Sequence, residues 1–375
     1  MKDFETVSKL KKEIEEILMS DNRVVSVGTV KEKDLDGKDT GFFSIQVGLV
    51  SEASPETIND IKQEITVFLE KNDEISAQSV ESNEIQIVFT EEGEIQALGH
   101  IDIPSTDDFV SSNSGVYAER SRPLVGGISV GHYKVGAGTL GAIVSFDSSK
   151  DEAYLLSNNH VFANTNVANI GDNIIQPGVA DNGKHHSDLV AKLAHFHPIS
   201  FSSSPNQVDA AIAKVEGNIS VQYYVKSIGK PEEIVAAKID MAVEKSGRTT
   251  GHTFGTVLSI DETTRVKMGN NTAVFTDQIA FTSMSFPGDS GSVLFERGTK
   301  RPIGLLFAGS PSKTYGNHMT KVSEAMSKAG FFGMRFTKEK RSFSTASNHI
   351  YQINNSQNIK TALATIQKLT RRIKL

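Results

Sequence analysis

The 375-residue chain contains no cysteine. That excludes disulfide staples, thiolate nucleophiles and Cys-ligated zinc or iron–sulfur centres. It also lacks any unbroken apolar run of the roughly 18 residues that a membrane-spanning helix needs, so no integral membrane segment is expected. The opening stretch, MKDFETVSKLKKEIEEILMS, alternates acids and bases where a secretory leader would be apolar, and points to a cytoplasmic protein. No zinc finger, RNP signature or broad basic–aromatic surface is present, so no nucleic-acid partner is expected. The glycine-rich string VGAGTLG (135–141) is followed by no helix pattern and reads as tight β-turns, not a dinucleotide fingerprint. Two histidine pairs, His185 with His186 and His195 with His197, lack a third ligand at a recognisable spacing. Neither a metal nor a cofactor is expected.

Apolar side chains make up 38% of the chain and charged ones 22%, as in soluble globular proteins. At about 150 residues per domain, the length suggests two or three domains. The net charge of −6 is unevenly spread. The first hundred residues carry 22 acidic against 10 basic side chains, whereas from Arg335 onward nine basic residues meet one acid. Opposite ends of opposite sign suit docking within one chain or between chains.

Residues 1–103 read as a small α+β domain, regulatory or interactive in role. Leu10, Ile14, Ile17 and Leu18 form a helical stripe over 5–19, and Ser54-Pro55 opens a second helix over 55–70 with Ile58, Ile61, Ile65 and Phe68 inward. VVSVGTV (24–30), FFSIQVGLV (42–50) and EIQIVFT (84–90) read as strands, the first two joined through DLDGKD. Polar residues 104–121 read as a linker. From 122 to about 330 the chain turns to short β-like runs with many glycines, among them GTLGAIVSF (138–146), AVFTDQIAF (273–281) and SVLFE (292–296). Such a pattern predicts β-barrels or a sandwich. Residues 331–375 form a C-terminal extension whose Ile359, Leu363, Ile366, Leu369 and Ile373 predict an amphipathic helix. Its stripe is covered by the protein itself, by another copy in a homo-oligomer built through terminal helices, or by a membrane surface.

Three strings carry chemistry. In FPGDSGSVLFE (286–296), glycines on either side of Asp289-Ser290 permit a sharp turn that exposes the Ser290 hydroxyl. The amides of Gly288 and Ser290 are then placed to bind a developing oxyanion. A serine needs a base to become a nucleophile. LLSNNHVFA (155–163) puts His160 just after an apolar strand, where a neutral imidazole suits that role. NQVDAAIAK (206–214) sets Asp209 in an apolar run, costly for a carboxylate unless it is hydrogen-bonded, as it would be by holding a histidine tautomer. Asp188, in HHSDLVAKL, is the rival acid. The order His160, Asp209, Ser290 matches neither that of α/β-hydrolases nor that of subtilisins.

The segment from Arg122 to about Lys328 resembles the chymotrypsin/trypsin-like serine peptidases, and more narrowly a bacterial branch related to plant narrow-leaf proteins. The resemblance rests on RPLVGGISVGH (122–132), LSNNHVFAN (156–164), GDNIIQPG (171–178), VDAAIA (208–213), KSGRTTGHTFGTV (245–257), PGDSGS (287–292) and IGLLFAGS (303–310). It implies a mainly β fold of two barrels with the active cleft between them. It also implies His160 as base, Asp209 as orienting acid and Ser290 as nucleophile. By the same resemblance, Asp289 supports the oxyanion loop by pairing with a cation. That cation is either an amine freed by cleavage near Arg122 or an internal side chain, Arg248 or Lys245. The position corresponding to the family's main specificity residue is Met284, and the opposite wall corresponds to Leu306, Phe307 and Ala308. An apolar residue before the scissile bond is then expected. The implied function is a serine endopeptidase acting on protein or peptide substrates through an acyl-enzyme. An inactive peptide-binding or scaffold protein and an esterase of the same triad chemistry are the alternatives.

Overall fold

The computed structural model describes residues 2–34, 36–72, 85–98, 115–149, 151–202 and 204–338. The predicted helix carrying Ile359 to Ile373 and most of the 104–121 linker lie outside these residues.

The N-terminal layer opens with α1 (Phe4–Ser20), whose first turn is capped by the Asp3 carboxylate accepting from the Thr6 amide at 3.0 Å. Val7, Leu10, Ile14 and Leu18 bury one face of it. β1 (Val24–Lys33) and β2 (Asp39–Leu49) form an antiparallel hairpin. α2 (Pro55–Asn72) packs Ile61, Ile65 and Leu69 onto the same core, and β3 (Ile87–Glu91) lies parallel to β2. A two-residue strand, β4 (Gln96–Ala97), ends this part.

The next strands are β5 (Leu124–Gly126), β6 (Ile128–His132), β7 (Gly138–Leu140), β8 (Ala142–Val144) and β9 (Tyr154–Ser157). After a one-turn helix, α3 (Asn159–Phe162), come β10 (Asn173–Ile175), β11 (Leu189–Phe196), β12 (Ala211–Val215) and β13 (Val221–Val225). Their order β7-β6-β10-β11-β12-β9-β8 closes on itself, because β7 and β8 are one stretch of chain interrupted at Gly141. β13 pairs in parallel with β5. A second ring holds β14 (Ala242–Gly247), β15 (Gly251–Met268), β16 (Asn271–Thr282), β17 (Val293–Glu296), β18 (Arg301–Gly309) and β19 (Lys313–His318). It runs β14-β17-β18-β19-β16-β15 and closes through β14 pairing with β15. The architecture is mainly β, with two barrel-like sheets flanked by helical elements, as the sequence pattern led one to expect. α4 (Met319–Lys328) follows, and residues 331–336 return to β8, where the Ser145 and Arg335 backbones exchange hydrogen bonds of 2.9 and 2.8 Å.

The long β15 joins the parts. Its first half pairs with β14, while Thr263 and Thr264 pair with Val27 and Ser26 of β1, so the N-terminal sheet continues that of the second barrel. Buried polar groups stitch this junction. The Asp261 carboxylate accepts from Ser8 Oγ at 2.6 Å, Thr29 N at 2.9 Å and Thr29 Oγ1 at 2.8 Å. Lys11 Nζ, on α1, donates to the Asp261 carbonyl at 2.7 Å and to Thr263 Oγ1 at 3.0 Å. Deeper still, Lys313 Nζ lies 3.0 Å from Glu262 and 3.4 Å from Glu92. One ammonium faces two buried carboxylates here, and burial pushes the Glu92 carboxyl up from its ordinary range.

Candidate active site

His160 stands on α3, directly after β9. Asp209 lies just before β12, the strand paired with β9, so two neighbouring strands deliver the pair. His160 Nδ1 is 2.5 Å from Asp209 Oδ2, and the His160 amide donates to Asp209 Oδ1 at 3.3 Å. The carboxylate is fully buried and its loop is held from both sides. Asn158 Nδ2 donates to the Asp209 carbonyl at 2.7 Å, and the Asp209 amide donates to Asn317 Oδ1, on β19, at 3.0 Å. A carboxylate can only accept, so in the neutral ring the proton sits on Nδ1 and Nε2 keeps its lone pair. His160 Nε2 is buried and has no hydrogen-bond partner among the described residues.

Ser290 sits in the turn between β16 and β17. Gly288 (φ +99°) and Gly291 (φ +94°) hold a left-handed backbone that a side chain would strain. The Gly291 amide donates to the Leu306 carbonyl at 2.9 Å. The first barrel presses against the same turn: the Thr139 amide donates to the Ser290 carbonyl, and Thr139 Oγ1 to the Gly288 carbonyl, both at 2.8 Å. A Cβ on Gly291 would lie 2.2 Å from Ser157 Oγ and 2.3 Å from the Thr139 carbonyl. The nucleophile candidate and the end of the His160 strand therefore meet across β7. The Ser290 hydroxyl donates to the Phe307 carbonyl at 3.0 Å, not to His160.

Beneath the turn, Asp289 is fully buried and saturated. Its carboxylate accepts from the amides of Thr249, Thr250 and Phe286 at 2.9, 3.1 and 3.0 Å and from Thr250 Oγ1 at 2.7 Å. Its cation is Lys245 at 3.1 Å. Burial lowers the Lys245 ammonium below the ordinary lysine range, against the pull of Asp289. Of the two internal cations considered from sequence, Arg248 is engaged elsewhere. Its guanidinium pairs with Asp181, with Nε 2.9 Å from Oδ2.

Met284 and Leu306 pack with Leu98, Phe281 and Ile279 in one buried apolar cluster, and the β18 glycine Gly309 borders it, with Leu98 Cδ1 3.0 Å from where its Cβ would stand. Phe307 and Ala308 send their side chains into a different cluster, where the Phe307 ring lies 4.7 Å from that of Phe275. They contribute backbone, not side chains, to the groove.

Sequence reasoning missed the occupant of that groove. β4 pairs antiparallel with β18, setting Ala97 opposite Ala308 and Gln96 opposite Gly309. The Leu98 amide donates to the Phe307 carbonyl at 3.2 Å, and the Gly288 amide donates to the Leu98 carbonyl. The Leu98 side chain is buried in the Met284–Leu306 cluster. Two residues of strand in a polar context (EGEIQALG) carry no periodicity by which to find it.

The remaining candidates lie apart. Asp188 accepts from the Lys184 amide at 2.9 Å and from Arg120 Nε at 3.3 Å. His185 stacks on Tyr133, with ring centroids 4.0 Å apart. His195 lies beside Phe331, and the His197 carbonyl accepts from Asn159 Nδ2 at 2.7 Å. Among the described residues, no group of three or more His, Asp or Glu is arranged to hold a metal ion. No helix among them is long and apolar enough to cross a membrane.

The family model described as Trypsin matches residues 119–328, more than half of the chain. The chain belongs to the trypsin family. No curated protein sequence matches it. Among solved structures it is similar to Thermobifida fusca protease A, at 18% identity and a TM-score of 0.39, over 55% of this chain and 95% of that one. It is likewise similar to a Nocardiopsis protease (15%, TM-score 0.40, 56% and 97%) and to Cellulomonas bogoriensis chymotrypsin (18%, TM-score 0.38, 57% and 98%).

Proposed function

We propose that this trypsin-family chain is a serine endopeptidase in which His160, Asp209 and Ser290 act as one unit. The observation that carries the reading is the 2.5 Å contact between His160 Nδ1 and Asp209, which leaves Nε2 buried and without a hydrogen-bond partner among the described residues. In the reactive arrangement the Ser290 hydroxyl gives up its bond to the Phe307 carbonyl and donates to Nε2 instead. The oxygen attacks the substrate carbonyl, and the amides of Gly288 and Ser290 stabilise the oxyanion. Asp209 stabilises the imidazolium that forms. His160 then gives the proton to the leaving amine, and the acyl group remains on Ser290. Water, deprotonated by His160, releases the new carboxylate and restores the hydroxyl.

The pocket of Met284, Leu306 and Gly309 supports an apolar residue before the scissile bond. With no carboxylate at Met284, a basic side chain there has no partner for its charge. Covalent labelling by a fluorophosphonate tests the reading. The label is expected on Ser290 and absent from Ser290→Ala. A labelled Ser290→Ala chain refutes it. A labelled chain that turns over esters but no peptide is an esterase.

A further inference from the structure

The groove of the proposed peptidase already holds a peptide, and that peptide belongs to the chain itself. Residues 96–98 satisfy three separate requirements of a bound substrate. The first is backbone: β4 adds an antiparallel strand to β18, and the Leu98 amide donates to the Phe307 carbonyl at 3.2 Å. Such strand addition supplies affinity without regard to side chain. The second is the reacting group: the Leu98 carbonyl accepts from the Gly288 amide, the donor assigned above to the oxyanion. The third is the side chain: Leu98 is buried among Met284, Leu306 and Phe281, and its Cδ1 lies 3.0 Å from where a Cβ on Gly309 would stand. A segment that covers a groove for packing alone needs none of these to coincide.

The segment is anchored upstream as well. The Lys267 amide, on β15, donates to the Ile95 carbonyl at 2.9 Å, and Glu92 is clamped by Lys313 and by Ser26 Oγ at 2.6 Å. With β1 paired to β15, the strand is presented to its own site with little loop-closure entropy left to lose.

We propose that the chain is its own first substrate and cuts the peptide bond after Leu98. This rests on the reading of Ser290 as nucleophile. Ser290 Oγ bonds to the Leu98 carbonyl carbon while the carbon–nitrogen bond to Gly99 breaks. The serine proton passes through His160 to the Gly99 nitrogen, which leaves as an amine. One water then hydrolyses the Leu98 ester, giving a Leu98 carboxylate and the original hydroxyl. The new C-terminus stays lodged against Gly288, so the N-terminal layer is also a product inhibitor until it is withdrawn.

The test compares the wild type, Ser290→Ala and Leu98→Asp by intact mass and N-terminal sequencing, together with peptide turnover and fluorophosphonate labelling. The wild type is expected as two pieces, one ending at Leu98 and one starting at Gly99, and Ser290→Ala as one intact chain. Leu98→Asp, whose carboxylate does not suit the apolar pocket, is expected to lose the cut at 98 and to show raised turnover of peptides with an apolar residue at the scissile position. A wild type that stays whole while Leu98→Asp labels and cleaves peptides overturns self-cleavage and leaves the peptidase reading intact. A Leu98→Asp chain that folds, yet neither labels nor cleaves, overturns both. Ser290→Ala chain cut after Leu98 also overturns the proposal.

Discussion

Replacing Lys245 by Met removes the cation paired with Asp289 and leaves the carboxylate fully buried. Breaking a buried ion pair from one side costs about 3–5 kcal/mol, since the survivor keeps its charge without a partner. Asp289 retains four donors, the amides of Thr249, Thr250 and Phe286 and the Thr250 hydroxyl, which places the cost near the lower end, about 3 kcal/mol. The turn that carries Gly288 and Ser290 is tied to this carboxylate, so the loss falls on the oxyanion site as well as on global stability. Urea denaturation measures the first quantity and the rate of fluorophosphonate labelling the second. The double variant Lys245→Met/Asp289→Asn takes away the stranded charge and is expected to recover much of the stability. A Lys245→Met chain that loses less than about 1 kcal/mol and labels at the wild-type rate refutes the assignment of Lys245 as the internal support of this turn.

Further expectations follow from the same geometry. Gly291→Ala meets a left-handed backbone and the Thr139 carbonyl at 2.3 Å, and is expected to cost at least the roughly 1–3 kcal/mol of such strain, read as a lower denaturation midpoint. Gly309→Val fills the space beside Leu98 Cδ1 and is expected to raise KM for peptides with a large apolar residue at the cut more than for those with alanine; equal effects on both refute the pocket assignment. Burial lowers the imidazoles of His132 and His318 below 6.5, with Asp172 only partly offsetting this at His132. Well above pH 6.5 both rings are neutral in the folded and the unfolded chain alike. As the pH falls from there, the unfolded chain takes up protons first and stability drops by up to about 1.4 kcal/mol per unit for each group. His318→Gln keeps a donor for the Ile260 carbonyl, 2.9 Å from Nε2, and is expected to flatten the acid limb of a Tm-against-pH curve; an unchanged slope contradicts it.

The residues that are legible in the sequence are those whose chemistry and local pattern coincide. His160 after an apolar strand and Asp209 inside one could be singled out because an ionisable group in such a place demands a partner, and the two are in contact. Gly288 and Gly291 were legible because a sharp turn needs left-handed residues, although the turn leaves Ser290 buried and not exposed as the sequence pattern suggests. The helices of the N-terminal layer follow from their 3.6-residue stripes. Long-range pairing was not legible. Nothing in GHTFGTVLSIDETTRVKM says that its second half will extend the sheet of residues 24–49, because the contacts that decide it, Ser8 and Thr29 on Asp261, are polar groups more than two hundred residues apart. The choice of Lys245 over Arg248 was hidden for a similar reason. Both lie in one short string and both are buried; only their distant partners, Asp289 for Lys245 and Asp181 for Arg248, separate them. The Leu98 segment is recognised by backbone hydrogen bonds, which leave no mark on residue type.

The central claim is that His160, Asp209 and Ser290 work as one unit. The most direct test is the non-additivity of their removal, measured as kcat on an apolar peptide in the Leu98→Asp background. Ser290→Ala, His160→Ala and the double variant are expected to lose activity equally, by ~10^6-fold, because either loss alone disables the same proton transfer. Single losses that multiply in the double variant would mean that the two side chains act independently, and would contradict the account.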